Sequence, residues 1–154
     1  MNYSIALVQL PLVSEAGEEQ ITTPTEAHRA CSDMAVLAQE CFHVLCLDTR
    51  NRLINRHMVS LGAADSCPAS PRDVFRPTIS DGATAIVIVH NHPSGDATPS
   101  SDDLIITRQI IDAGKILNVK VLDHIIIGRA TKGDGNKPLR PPFLSLRESG
   151  LCTF

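Results

Sequence analysis

Apolar residues along this chain follow two rhythms, and the changes between them mark its elements. Ala27, Ala30, Cys31, Met34, Leu37 and Ala38 recur at helical spacing, which gives a helix one face to bury. Thr23-Pro24-Thr25-Glu26 stands just before them: an N-cap threonine, a proline at the first helical position and an acid at the third. From Cys41 to Asp48 the pattern turns strand-like, Thr49-Arg50-Asn51 reads as a turn, and residues 52–61 supply a second strand, predicting an antiparallel hairpin. Ser70-Pro71-Arg72-Asp73 repeats the helix-start signal. Pro77 falls inside that helix, where its missing N–H predicts a kink or an early end. Ala85-Ile86-Val87-Ile88-Val89 is an unbroken apolar run, as a strand buried on both faces requires, so a strand is expected over 84–90. A loop over 91–99, a helix over about 101–117 and a strand over 120–127 follow. Tyr3 to Val8 reads as a short strand, Ser14-Glu15-Ala16-Gly17-Glu18-Glu19 as a solvated linker, and residues 144–151 as a last ordered segment. Interleaved helices and strands predict an α/β class in the broad sense, an α+β mixed sheet flanked by helices. A segment 1–20 would precede one domain, 21–154.

At 154 residues the chain can bury one core but not two. Trp is absent and Tyr occurs once, which argues against aromatic platforms for stacking bases or sugars. A formal charge of −3 offers no general attraction to phosphate backbones, leaving only a local basic patch around Arg50, Arg52 and Arg56. Direct nucleic-acid binding is therefore not expected. Five cysteines (Cys31, Cys41, Cys46, Cys67, Cys152) are odd in number and form no Cys-x-x-Cys pair, which predicts reduced, small apolar side chains in an intracellular protein. Residues 1–20 lack a basic start, and Gln9 and Pro11 break their apolar stretch, so neither a signal peptide nor a membrane span is expected. The location implied is cytoplasmic.

The chemistry concentrates at His90-Asn91-His92-Pro93 and, further on, Ser100 and Asp103. At the end of a strand, residues i and i+2 share a face, so both imidazoles can converge on one ion. Asp103 would return to it from the next helix, giving three zinc ligands and an open fourth position, as in a catalytic site. Ser100-x-x-Asp103 is equally a capping box, and a carboxylate at a helix terminus can serve both roles. Capping alone leaves the two histidines unexplained, since buried imidazoles on one face need a shared partner. Pro93, Ser94, Gly95 and Pro99 suit a rim around a substrate groove. His124 is either a group close to the ligands or substrate, or a hydrogen-bonded core residue. His28, His43 and His57 show no spacing that recruits them and read as structural or surface residues. The chain contains no His-Glu-x-x-His and no Pro-Cys-x-x-Cys, which excludes thermolysin-type and deaminase zinc sites.

His90, His92, Ser100 and Asp103 reproduce the spacing of the JAMM (MPN-plus) metalloprotease motif, His-x-His, seven residues, Ser, two residues and Asp. Residues 40–51 (Glu40-Cys41-Phe42-His43-Val44-Leu45-Cys46-Leu47-Asp48-Thr49-Arg50-Asn51), 90–96 and 121–128 resemble the JAB domain of the RadC family, from Ile21 to Gly128, with a weaker echo over 145–151. The resemblance implies a curved mixed sheet between helices, distantly like the three-layer cytidine deaminases. It implies one Zn2+ per chain on His90, His92 and Asp103, Glu40 as general base, Ser100 steadying the oxyanion, and Ser94 at the substrate rim. The expected substrate is a peptide or isopeptide, with an exposed edge strand available for β-addition or for a homodimer. Two rivals remain: a DNA-repair-associated protein, for which no helix-hairpin-helix segment is expected in this chain, and a non-catalytic MPN scaffold. Asn91 departs from the Ser or Thr of eukaryotic JAMM enzymes, Ala97 from a frequent proline, which implies a looser rim, and residues 130–142 form a longer tail than the family suggests.

Overall fold

The computed structural model describes residues 17–62, 69–131 and 141–154. Expectations for Tyr3–Val8, Cys67 and most of the 130–142 tail lie outside them. Three α-helices, α1 (Pro24–Ala30), α2 (Pro71–Ser80) and α3 (Ser101–Leu117), accompany five strands. The strands are β1 (Cys41–Leu47), β2 (Leu53–Leu61), β3 (Ala85–Asn91), β4 (Lys120–Ile127) and β5 (Phe143–Ser145), and they form one sheet in the order β2-β1-β3-β4-β5. Only β3 and β4 run parallel, joined through α3, and every other neighbour is antiparallel.

The apolar run of β3 explains the layering. Ala85, Val87 and Val89 point to one side, where Ala27, Cys31 and Met34 cover them together with Leu45 and Ile125. Ile86 and Ile88 point to the other, against Val74 and Phe75 of α2 and Ile106, Ile110 and Ile111 of α3. The chain is thus an α/β/α sandwich with a mixed sheet at its centre. By alternation, the residues after Ile88 on the α2–α3 side are His90 and then His92. No helix among the described residues is long and apolar enough to cross a membrane.

Three expectations need correction. The helical stripe that begins at Ala27 ends early: α1 stops at Ala30, and residues Ser32–Val36 form a 3-10 turn. Arg56, on β2, donates to the Ala30 carbonyl at 3.0 Å, and the Met34 N–H bonds Cys31 instead. The tighter turn rotates later positions off the buried stripe, leaving Leu37 37% exposed and Ala38 exposed. Pro77 does not end α2, which continues through it to Ser80. The expected basic patch is reduced rather than intact, because Arg52 pairs with Asp48 at 2.8 Å and Arg56 with Asp33 at 2.6 Å. The hairpin turn matches expectation: Asn51 takes a left-handed φ of 58°, and the Asp48 carboxylate accepts the N–H groups of Arg50 and Arg52. The four described cysteines are all buried and free.

Candidate metal centre

The carboxyl end of β3 delivers His90 and His92 to the α3 side, and the first turn of α3 delivers Asp103. His90 Nε2 lies 2.9 Å from His92 Nε2, 3.1 Å from Asp103 Oδ1, and His92 Nε2 lies 3.3 Å from Asp103 Oδ2. One ligating atom from each lies within 4.8 Å of both others. Cap and convergence coexist: Ser100 Oγ accepts from the Asp103 N–H at 3.1 Å while Asp103 Oδ2 accepts from the Ser100 N–H at 2.7 Å. The cap fixes the carboxylate's orientation, and its remaining lone pairs face the histidines.

Burial pushes the Asp103 pKa up, but the hydrogen-bonding contacts with His90 and His92 and the Ser100 N–H outweigh it and hold the group well below the usual carboxylate range. His92 shows the converse. Burial lowers its pKa, yet hydrogen bonds with Asp103 and the Asp96 carbonyl leave it raised. The hollow between these three side chains favours positive charge, whether a proton on His92 or a metal cation. His92 Nδ1 lies 2.7 Å from the Asp96 carbonyl, which only accepts, so the proton sits on Nδ1 and Nε2 faces the hollow.

Glu40 reaches the same place from β1. Because β1 and β3 are antiparallel with Phe42 opposite His90, the residue two before Phe42 stands level with His92. Glu40 Oε1 comes to 4.0 Å from His90 Nε2 and its side chain is 22% exposed, near the cluster but outside the three-residue set. Phe42 stacks on the His90 ring at 5.7 Å and 11°, giving the site an apolar floor. His124 is fully buried behind His90, with its Nε2 2.7 Å from His90 Nδ1. Ser94 stays on the exposed rim, its Oγ accepting from the Asp96 N–H at 3.2 Å.

Two contributors escaped the sequence reading. Asn91, 1% exposed, points away from the cluster, yet its Oδ1 accepts from the Cys41 N–H at 2.8 Å and its Nδ2 donates to the Gln39 carbonyl at 3.1 Å. It clamps the backbone on both sides of Glu40. Thr107, one helical turn after Asp103, hydrogen-bonds both the Asp103 carbonyl and His124. A threonine four residues after an aspartate was the only signal available for it. The rim also differs from expectation, since Ala97 is buried against Gly128 rather than loose. A Cβ on Gly128 would stand 2.6 Å from the Gly95 carbonyl, so glycine there lets β4 pass directly beneath the rim loop. Arg129 pins that loop from the other side: its N–H bonds Gly95 at 2.8 Å and its guanidinium bonds the Pro93 carbonyl.

Sheet order, layering and a His-His-Asp cluster at the end of β3 define an α/β domain of the JAB/MPN type. The chain belongs to the RadC-like JAB domain family, which matches residues 21–134. It is 39% identical to a UPF0758 protein of Roseiflexus castenholzii over 144 residues, 92% of this chain and 57% of the relative. A UPF0758 protein of Listeria monocytogenes is 38% identical over 143 residues, 92% and 59% of the two chains. A UPF0758 protein of Thermotoga maritima is 40% identical over 111 residues, 72% and 50%. The chain spans between half and three-fifths of the length of these relatives.

Proposed function

We propose that this domain is a zinc-dependent hydrolase of the JAMM type, acting on an amide or isopeptide bond. The observation that carries the reading is the meeting of three electron-pair donors, His90 Nε2, His92 Nε2 and an Asp103 oxygen, in a set that suits zinc and, being three, leaves the fourth tetrahedral position to water. Zinc held there supplies Lewis acidity, lowering the pKa of water to about 7 and polarising a carbonyl.

The chain's own residues do the rest. Glu40, close to the cluster but outside the ligating set, takes the proton from the attacking water and passes it to the leaving amine. Ser100 uses a lone pair for the Asp103 N–H, which leaves its hydroxyl proton for the oxygen of the scissile carbonyl. Ser94, on the exposed rim, contacts the substrate backbone. β2 is one of the two edge strands of the sheet, and Gly62, just after its end, bonds the Glu40 carbonyl through its N–H. An extended peptide added along β2 runs towards the cluster; a second copy pairing there gives a homodimer instead.

The test is elemental analysis of the protein beside Asp103→Ala. One zinc per chain, lost in the variant, is the expected result. A protein that takes up no zinc at micromolar concentration refutes the hydrolase reading and leaves a binding module.

A further inference from the structure

His90 and His124 face one another with no access to water, each 0% exposed, so every proton on their rings must have a protein partner. His90 Nδ1 lies 2.7 Å from His124 Nε2, His124 Nδ1 lies 2.5 Å from Thr107 Oγ1, and Thr107 Oγ1 lies 2.5 Å from the Asp103 carbonyl oxygen. The direction of this chain follows from its last member. A carbonyl oxygen only accepts, so the single hydroxyl proton of Thr107 is committed to Asp103. Thr107 Oγ1 therefore accepts from His124, whose proton sits on Nδ1. A neutral imidazole that donates at Nδ1 accepts at Nε2, so His124 takes the hydrogen bond from His90 Nδ1–H. In the neutral form of His90 the proton on Nδ1 leaves Nε2 bare, and that atom points at Asp103 and His92.

We propose that Thr107 and His124 are positioning residues that fix His90 as its Nδ1–H tautomer, so that Nε2 meets the metal with no proton to displace. The inference rests on the metal-site reading above. A metal-bound histidine usually turns its far nitrogen to a carboxylate, a carbonyl or water. Here the far nitrogen meets a second histidine, which by itself could carry its proton on either side. Thr107 removes that choice by tying the row to a peptide carbonyl, a group that cannot reverse. Asp103 thus appears at both ends, with its carboxylate in the cluster and its carbonyl anchoring the row behind it.

Long-range proton–nitrogen correlation spectra of the histidine-labelled protein, zinc-free and zinc-loaded, read these tautomers directly. His124 is expected as the neutral Nδ1–H form in both. In Thr107→Val, His124 should become a mixture of tautomers, and zinc affinity measured against a chelator should fall about 10- to 100-fold. Thr107→Ser keeps the hydroxyl and should keep both readouts, which a merely space-filling role for Thr107 does not predict. A wild-type His124 carrying its proton on Nε2 overturns the proposal, and that spectrum decides even if the valine variant fails to fold. Unchanged tautomer and zinc affinity in Thr107→Val overturn it equally. The two readings fail separately. Nδ1–H at His124 without zinc binding removes the hydrolase and keeps the row, whereas zinc binding with Nε2–H at His124 does the reverse.

Discussion

Two clusters pack against the α2–α3 layer, and each brings a histidine and an aspartate together with one further ligating residue. In one, His90, His92 and Asp103 meet; in the other, Cys46, His57 and Asp81, again with their ligating atoms within 4.8 Å. The second is self-contained. His57 Nε2 pairs with Asp81 Oδ2 at 2.7 Å, and the Cys46 thiol bonds Thr78 Oγ1 at 3.8 Å. Burial pushes the Cys46 thiol up to about 12, so its proton stays on sulfur. In the first cluster the backbone turns the His92 proton outward onto the Asp96 carbonyl, and His90 turns its own towards His124. Proximity of donor atoms does not by itself make a metal centre, and the two clusters differ in where the protons point.

The sharpest way to break this contrast is Asp103→Asn. The amide can still cap α3, so stability should change by under about 1 kcal/mol, while zinc affinity falls by more than about 100-fold. Chelator competition and a thermal melt on the same sample separate the two roles, and equal zinc affinity in the variant would dissolve the distinction between the clusters. Glu40→Gln is expected to leave zinc affinity intact and lower peptide or isopeptide hydrolysis about 10²- to 10⁴-fold, read on the zinc-loaded protein. A matching loss of zinc would move Glu40 into the ligand set.

His43 extends the contrast to a histidine held neutral without any cluster. Burial and then the Arg56 charge lower its pKa from 6.5 to about 4, and Arg56 Nε donates to its Nδ1 at 3.1 Å. The folded protein resists a proton that the unfolded chain accepts. The His43 contribution is therefore whole above pH 6.5 and is lost as pH falls towards 4. Denaturant unfolding should show His43→Gln losing about 2–3 kcal/mol less than the wild type between pH 7 and pH 4.5. The smallest effects belong to the second cluster. Cys46→Ala should cost about 1 kcal/mol and His57→Asn less than that, with zinc per chain unchanged in both. A halved zinc content in either would show that the second cluster also binds.

Much of this was legible in the sequence because it is local. Capping boxes at Thr23, Ser70 and Ser100 start the three helices where expected, and the run from Ala85 to Val89 is the central strand with the two histidines at its end. What was not legible depends on partners distant in sequence. At the break after Ala30 the free carbonyl is taken by Arg56, and Asn91 acts on residues 39–41 across the sheet. The burial of Ala97 depends on Gly128, and the burial of His124 could not be distinguished from a place at the substrate by its spacing. The sheet order joining β1 to β3, which brings Glu40 to the cluster, has no signature in either strand alone.

The pairing of Phe42 with His90 has one more consequence. Since Glu40 and the histidines hang on neighbouring strands, their separation is set by the spacing of a β-ladder, about 4.8 Å between strands, rather than by any loop. The exposed edge and the outer rim are decoupled from that measure. Over evolutionary time such a domain can change its edge and rim while the spacing of Glu40 and the histidines keeps its calibration, as a workshop changes jaws on a vice without recutting its screw. A one-residue slip between β1 and β3 is the change it cannot absorb, because it would turn Glu40 to the opposite face of the sheet.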